Sequence, residues 1–308
     1  MKVIRAKVLG FCMGVRRAVD IAQEAINSAK CSNAQNPITI YTLGPLIHNP
    51  QVLKSLAEQG VQILEEQNIN KSCFFPSCSL PENSTVIIRA HGVSPEIEKA
   101  LCEKGLTIID ATCPKVKKNQ TTAHDLAEKG YRIFLAGEKD HAEIQGIYGY
   151  VKRKTACIIV GNSEEAQMAA LQEKEHADKQ DHNPVKTALI GQTTISDDEY
   201  QAIAQTLKTH FNDLEIIDTM CKATRDRQDA LKKLCSKADA IIVAGGKESA
   251  NTRHLLTIAR DCGKPAWFAE KLEDLPTEFM AFKTIGLCAG ASTPDSVIDQ
   301  IEHALLRN

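Results

Sequence analysis

The 308-residue chain carries 37 Lys and Arg against 39 Asp and Glu, for a formal net charge of −2. That balance gives no bulk electrostatic reason to expect a nucleic acid or an anionic membrane as partner, and the length allows a large core in two or three domains. No apolar run reaches the length of a secretory signal or a membrane span, so a cytoplasmic, reducing setting is expected for the eleven cysteines.

In chain order, MKVIRAKVLGFC reads as a strand ending at Cys12, followed by Val15, Ala18, Val19, Ala22 and Ile26 at helical spacing. ITIYTLG is a buried strand that turns over at Gly44, and His48 comes four residues later. VIIRAHGVSPE is a second strand whose polar turn holds His91, with Ser94 as N-cap and Pro95 at the first helical position. A helix then leads into LTIIDATC and Cys113.

The same order recurs. Val116, Ala123, Leu126 and Ala127 mark a helix stopped by Gly130, YRIFLAG runs to Gly137, and His141 follows four residues later, with Glu143 two beyond. ALIGQTTISDD carries Thr193 and the cap Ser196, and LEIIDTMC ends at Cys221. In the third round Ala223, Ala230, Leu231 and Leu234 mark the helix, AIIVAGG runs to Gly245, and Ser249 and Asn251 follow. GLCAGASTPDS holds Ser292, with Thr293 as the expected cap and Pro294 at the first helical position. The final helix, IDQIEHALLRN, has no strand after it. The missing strand is expected to be the N-terminal one, which closes the repeat on itself.

Strands alternating with helices favour parallel sheets, and ligands of such sheets collect at the carboxyl ends of the strands. The expected fold is therefore α/β: three pseudo-threefold-related units around a central cavity. They are residues 13–112, 113–220 and 221–308, the last completed by strand 1–12. KSCFFPSCSLPENS (71–84) and LQEKEHADKQDHNP (171–184) read as surface insertions, which makes Cys73 and Cys78 poor ligands.

Cys12, Cys113 and Cys221 lie 101 and 108 residues apart, one per repeat, each opening a helix. The helix dipole and free amides there stabilise a thiolate. Three thiolates leave a bound zinc or iron with an open position, and with no fourth thiol a cubane iron–sulfur cluster fits better than zinc. A duplicated scaffold with incidental buried cysteines is the competing reading. The coincidence of cysteine, glycine and polar positions in all three copies weighs against it. His48, His91, His141, Glu143, Thr193, Ser249, Asn251 and Ser292 form the expected polar rim, able to bind diphosphate oxygens without Arg or Lys. His124, His176, His182, His210 and His303 read as solvated, and Cys31, Cys102, Cys157, Cys235, Cys262 and Cys288 as core or surface thiols.

GFCMGVRRA, LIHN, AHGVS, DATCP, HAEIQG, GQTT, DTMCKATRDRQ, GGKESANTRHL and AGASTP stand in order along the whole chain. As a set they resemble the 4-hydroxy-3-methylbut-2-enyl diphosphate reductase family, which ends the methylerythritol phosphate route to isoprenoids. The resemblance implies a three-lobed trefoil and a [4Fe–4S] cluster on Cys12, Cys113 and Cys221 with one open iron site. It implies that His48, His91, Ser249, Asn251 and Ser292 hold the substrate diphosphate, and that His141, Glu143 and Thr193 lie near its hydroxyl and serve its protonation. The implied reaction is reductive dehydroxylation to isopentenyl and dimethylallyl diphosphates, with electrons from a ferredoxin or flavodoxin. Two positions depart from the family pattern: Ala250, where a second serine is common, and Ala142, where a proline is common. A non-redox iron–sulfur dehydratase and a non-catalytic cluster protein are the alternatives from other classes.

Overall fold

The computed structural model describes residues 1–31, 38–64, 80–81, 83–152, 154–178 and 185–307. Cys73, Cys78, His182 and the side chain of His176 lie outside the described residues. By compactness the chain divides into one unit of Met1–Asp20, Ile47–Gly60 and Cys221–Asn308, and another of Ile21–Leu46 and Val61–Met220.

In chain order the elements begin with β1 (Lys2–Arg5), α1 (Met13–Cys31), β2 (Ile40–Leu43), α2 (Pro50–Glu58), β3 (Gln62–Leu64), β4 (Thr85–Ile88), α3 (Pro95–Glu103) and β5 (Thr107–Asp110). They continue with α4 (Pro114–Glu128), β6 (Arg132–Ala136), α5 (Ala142–Val151), β7 (Cys157–Val160), α6 (Ser163–Asp178), β8 (Thr187–Gly191), α7 (Asp197–Lys208) and β9 (Leu214–Ile216). The last are α8 (Lys222–Cys235), β10 (Ala240–Ala244), α9 (Ala250–Asp261), β11 (Ala266–Ala269), β12 (Thr284–Ala289) and α10 (Asp295–Arg307).

The strands form three four-stranded sheets, ordered β3-β2-β4-β5, β7-β6-β8-β9 and β11-β10-β12-β1, with every pairing parallel. Counted from the first strand after each cysteine-led helix, all three run second, first, third, fourth. In the third sheet the fourth place has no strand of its own in sequence, and β1 takes it, pairing from Lys2↔Thr284 to Arg5↔Leu287.

The central strands β2, β4, β6, β8, β10 and β12 are mostly apolar and buried along nearly their whole length because helices cover both faces. β10 shows the consequence. Ile241 and Val243 pack with Leu231, Leu234 and Leu255 on one side, while Ala240, Ile242 and Ala244 pack with Ile285, Ile298 and Ile301 on the other. In the other unit β6 divides likewise, Phe134 packing with Tyr200 and Ile203, and Ile133 and Leu135 with Ile144 and Ile147. Among the described residues no helix is long and apolar enough to cross a membrane.

Two local expectations are corrected. Thr293 does not cap α10. The carbonyl of Pro294 accepts the first helical bonds, from the Val297 and Ile298 amides at 3.1 and 3.3 Å. The fully buried Thr293 hydroxyl instead donates at 3.0 Å to the Ala244 carbonyl, which also accepts from the Gly290 amide at 2.9 Å, since a buried hydroxyl must find an acceptor and this carbonyl has a second lone pair to offer. The stretch read as an insertion from residue 171 is helical as far as Asp178, where α6 ends. Ser196 does cap α7, accepting from the Glu199 amide at 3.1 Å, whereas Ser94 holds the cap position of α3 without a side-chain bond.

Val3 and Ile4 pack on opposite faces of the third sheet, each half-buried. Replacing both with alanine is expected to cost about 1 kcal/mol per side chain. Hydrogen exchange should report the loss chiefly in β12 and β10, and protection there equal to that of the parent would show that β1 does not support this sheet.

Candidate active site

Three of the described cysteines stand at helix starts. Cys113 and Cys221 are the N-cap residues of α4 and α8, and Cys12 immediately precedes α1. All three are half-buried. The Cys12 Sγ accepts from the Val15 amide at 3.4 Å, so a first-turn donor already faces the sulfur. The remaining described cysteines have other settings. Cys31 and Cys235 end helices, Cys102 lies within α3, Cys262 follows α9, and Cys157 and Cys288 lie in strands. Burial pushes the Cys157 and Cys235 thiols up to about 12, and Cys288 higher still, so these stay protonated. His303 is exposed. His124 and His210 are half-buried and hydrogen-bonded, to Lys154 at 2.7 Å and Gln167 at 2.8 Å, and so are less solvated than expected.

In the unit containing Val61–Met220, the Cys113 amide donates to the Ala90 carbonyl at 2.9 Å, which ties the cysteine to the turn bearing His91. That turn needs Gly92, at φ +68°, where a Cβ would lie 2.6 Å from Gln120 Nε2. Gln120 Nε2 in turn donates to the Val93 carbonyl at 3.3 Å. The His91 ring meets the His141 ring edge-on, with centroids 5.2 Å apart.

His141 is the N-cap of α5. Its Nδ1 accepts from the Glu143 amide at 3.1 Å, so in the neutral ring Nε2 carries the proton. Ala142, at the first helical position, leaves this cap in place. The Glu143 carboxyl is turned inward and only 1% exposed. Its Oε1 accepts from the Thr193 amide and its Oε2 meets the Thr193 hydroxyl, both at 2.7 Å. Burial pushes its pKa up to about 7, against the two Thr193 bonds, which pull it down. A carboxyl poised there can give or take a proton at neutral pH. Gln192 holds the Thr193 turn in place. Its Oε1 accepts from the Glu138 amide at 3.1 Å and its Nε2 donates to Thr194 Oγ1 at 2.8 Å.

In the other unit, Ser249 caps α9, its Oγ accepting from the Thr252 amide at 3.4 Å. Asn251, in the first turn, is 4% exposed, and its Nδ2 has no partner among the described residues. A buried amide donor beside free helix amides suits an anion. The Ser292 hydroxyl donates to the His48 carbonyl at 3.0 Å, which joins the turn after β12 to the segment before α2. A Cβ on Gly246 would lie 2.8 Å from that same carbonyl. Ala250 is buried at the first position of α9.

Three side chains missed in the sequence help to hold these turns: Gln192, Asn119 and Arg227. Arg227 is 4% exposed, with Nη2 on the Gly10 carbonyl at 2.6 Å, Nη1 on the Ala223 carbonyl at 2.8 Å, and Nε without a partner among the described residues. The legible signal was a polar residue six positions past a repeat cysteine, where an apolar residue belongs. An orphaned cationic donor beside helix-start thiols fits an anionic, sulfur-rich group held by the cysteines.

The LytB protein family matches residues 3–306. The 4-hydroxy-3-methylbut-2-enyl diphosphate reductase of Treponema denticola is 43% identical over 306 residues, covering 99% of both chains. That of Aquifex aeolicus is 36% identical over 306 residues, covering 98% of this chain and 95% of its own. Among solved structures, the E-1-hydroxy-2-methyl-but-2-enyl-4-diphosphate reductase of Plasmodium falciparum superposes with a TM-score of 0.83 at 30% identity, covering all of this chain and 88% of its own. A second, titled (E)-4-hydroxy-3-methyl-but-2-enyl diphosphate reductase, the terminal enzyme of the non-mevalonate pathway, gives 0.66 at 34% identity with full coverage of both. With its motifs, its sheets and its relatives in agreement along nearly its whole length, this chain belongs to the LytB family.

Proposed function

We propose that the chain is a reductase that removes the hydroxyl of 4-hydroxy-3-methylbut-2-enyl diphosphate, yielding isopentenyl and dimethylallyl diphosphates in a reducing cytoplasmic setting. The observation that carries the reading is the set of Cys12, Cys113 and Cys221, the three described cysteines at helix starts. We assign them as the ligands of a [4Fe–4S] cluster, and keep the three-unit organisation of residues 13–112, 113–220 and 221–308 with 1–12 as part of the same proposal. When bound, such a cluster supplies single electrons and an iron with an open position.

The balance of the reaction fixes what the protein must add. The allylic C–O bond breaks, two electrons enter from a ferredoxin- or flavodoxin-like donor, one proton goes to the departing oxygen and one to carbon. Glu143 supplies the proton to oxygen, because hydroxide is a poor leaving group and a carboxyl near pKa 7 is still substantially protonated. The Thr193 amide and hydroxyl aim that carboxyl, and the neutral His141 ring, with Nδ1 on the Glu143 amide, carries its proton on Nε2. His48, His91, Ser249, Asn251 and Ser292 bind the diphosphate, with the unpartnered Asn251 Nδ2 as the donor most in need of an acceptor. Ala250 supplies no hydroxyl, so the backbone amides of α9 must replace it.

Asn251→Ala and His48→Ala are expected to raise KM by about 10–100-fold, the worth of one hydrogen bond to a charged group, with iron content and kcat nearly unchanged. Unchanged KM in both, with iron retained, would remove these residues from the substrate site. A strict requirement for reductant separates this activity from a dehydratase acting on the same substrate.

A further inference from the structure

Two of the cysteine-led helices repeat one contact. Asn119, six residues past Cys113, is 3% exposed, and its Nδ2 donates to the Thr219 carbonyl at 3.2 Å, two residues before Cys221. Arg227, six residues past Cys221, donates to the Gly10 carbonyl at 2.6 Å, two residues before Cys12. In each case a buried donor, set equally deep in the helix that one cysteine opens, grips the carbonyl just ahead of another cysteine. The residue six past Cys12 is Ala18, which has no donor.

The turn that Arg227 holds is a demanding one. Gly10 is at φ +79°, and a Cβ there would lie 2.9 Å from Asp295 Oδ1. Its conformation is therefore kept by contacts and by the absence of a side chain. The Cys12 amide bonds the Ala291 carbonyl at 3.0 Å, which anchors the same segment from its other side.

We propose that Asn119 and Arg227 are positioning residues for the cluster cysteines, each fixing the segment that presents another of them, and that the buried Arg227 guanidinium also raises the reduction potential of the cluster. The proposal rests on the cluster assignment above. The guanidinium is 4% exposed and is bonded to the Gly10 carbonyl, two residues before Cys12, and to the Ala223 carbonyl, two residues after Cys221, so its charge lies in the backbone that presents both cysteines. A guanidinium stays protonated in proteins, and a fixed cation beside a cluster favours the more negative, reduced state. Nε has no acceptor among the described residues, so this buried donor can still serve an anionic or sulfur acceptor.

The test uses the full chain loaded with iron and sulfide under anaerobic conditions. Arg227→Gln, Arg227→Lys and Asn119→Ala are compared with Lys233→Gln, an exposed charge on the same helix. Two quantities are read, the midpoint potential by dye-mediated titration and the rate of iron loss to a ferrous chelator. Arg227→Gln is expected to shift the reduced-to-oxidised ratio about tenfold, or ~59 mV to lower potential, and to speed iron loss about tenfold. Arg227→Lys should keep most of the potential while losing iron faster. Asn119→Ala should speed iron loss without moving the potential, and Lys233→Gln should change neither. If Arg227→Gln fails to fold, the split between Arg227→Lys and Asn119→Ala carries the test. Parental potential and iron retention in these cluster-loaded variants would overturn the proposal alone. A parent chain that takes up no iron and sulfide would overturn the cluster assignment, and this proposal with it.

Discussion

Glu143→Gln is expected to bind the allylic diphosphate and keep its cluster, yet to lose at least about 10²-fold in kcat, the usual worth of a general acid. Glutamine retains the shape and can still accept from the Thr193 amide, so the loss isolates the proton. In the parent enzyme kcat should fall as pH rises through about 7, where the carboxyl ionises, and this fall should vanish from the residual rate of the variant. Stability follows the same group. The folded pKa stands above the ordinary 4.5, so between about 4.5 and 7 the folded chain holds a proton that the unfolded chain has released. The stabilisation is therefore fully present below about pH 4.5 and lost by about pH 7, on the order of 3 kcal/mol. Glu143→Gln should remove that slope from a denaturation series. Near-normal kcat in the variant would move the proton donor to His141, Thr193 or the diphosphate itself.

Serine at Cys12, Cys113 or Cys221 should abolish the visible absorbance of the cluster and, with it, measurable turnover. A serine hydroxyl is a far poorer iron ligand than a cysteine sulfur, and a three-ligand site has no spare ligand. Serine at Cys235 should leave absorbance intact, because burial holds that thiol protonated and remote from metal chemistry. Serine at Cys73 or Cys78 should do the same. Loss of the cluster in either of these would reassign the ligands.

Much of this was legible in the sequence because it rests on period and punctuation. Apolar runs ending at Gly44, Gly137 and Gly245 became central strands β2, β6 and β10, and the absence of a strand after α10 pointed to β1 as its substitute. Other features depend on which backbone groups a fold brings near a side chain, and no local pattern carries that information. Thr293 has the chemistry of a cap, but the Ala244 carbonyl claims its hydroxyl. Asn119 and Arg227 stand out in the sequence as polar residues six past a repeat cysteine, but their partners, the Thr219 and Gly10 carbonyls, appear only in the fold. Residues 171–178 lack a clear apolar face and so read as an insertion. Their good helix formers, and the Asn162 side chain accepting from the Glu165 amide at 2.9 Å at the start of α6, were the signals to weigh.

The decisive measurement is product analysis on the anaerobically purified, iron- and sulfide-quantified chain, given 4-hydroxy-3-methylbut-2-enyl diphosphate with and without a chemical reductant. Isopentenyl and dimethylallyl diphosphates should form only when reductant is present, and in proportion to cluster content. Unchanged substrate from a fully loaded, reduced protein, or dehydration without reductant, would contradict it.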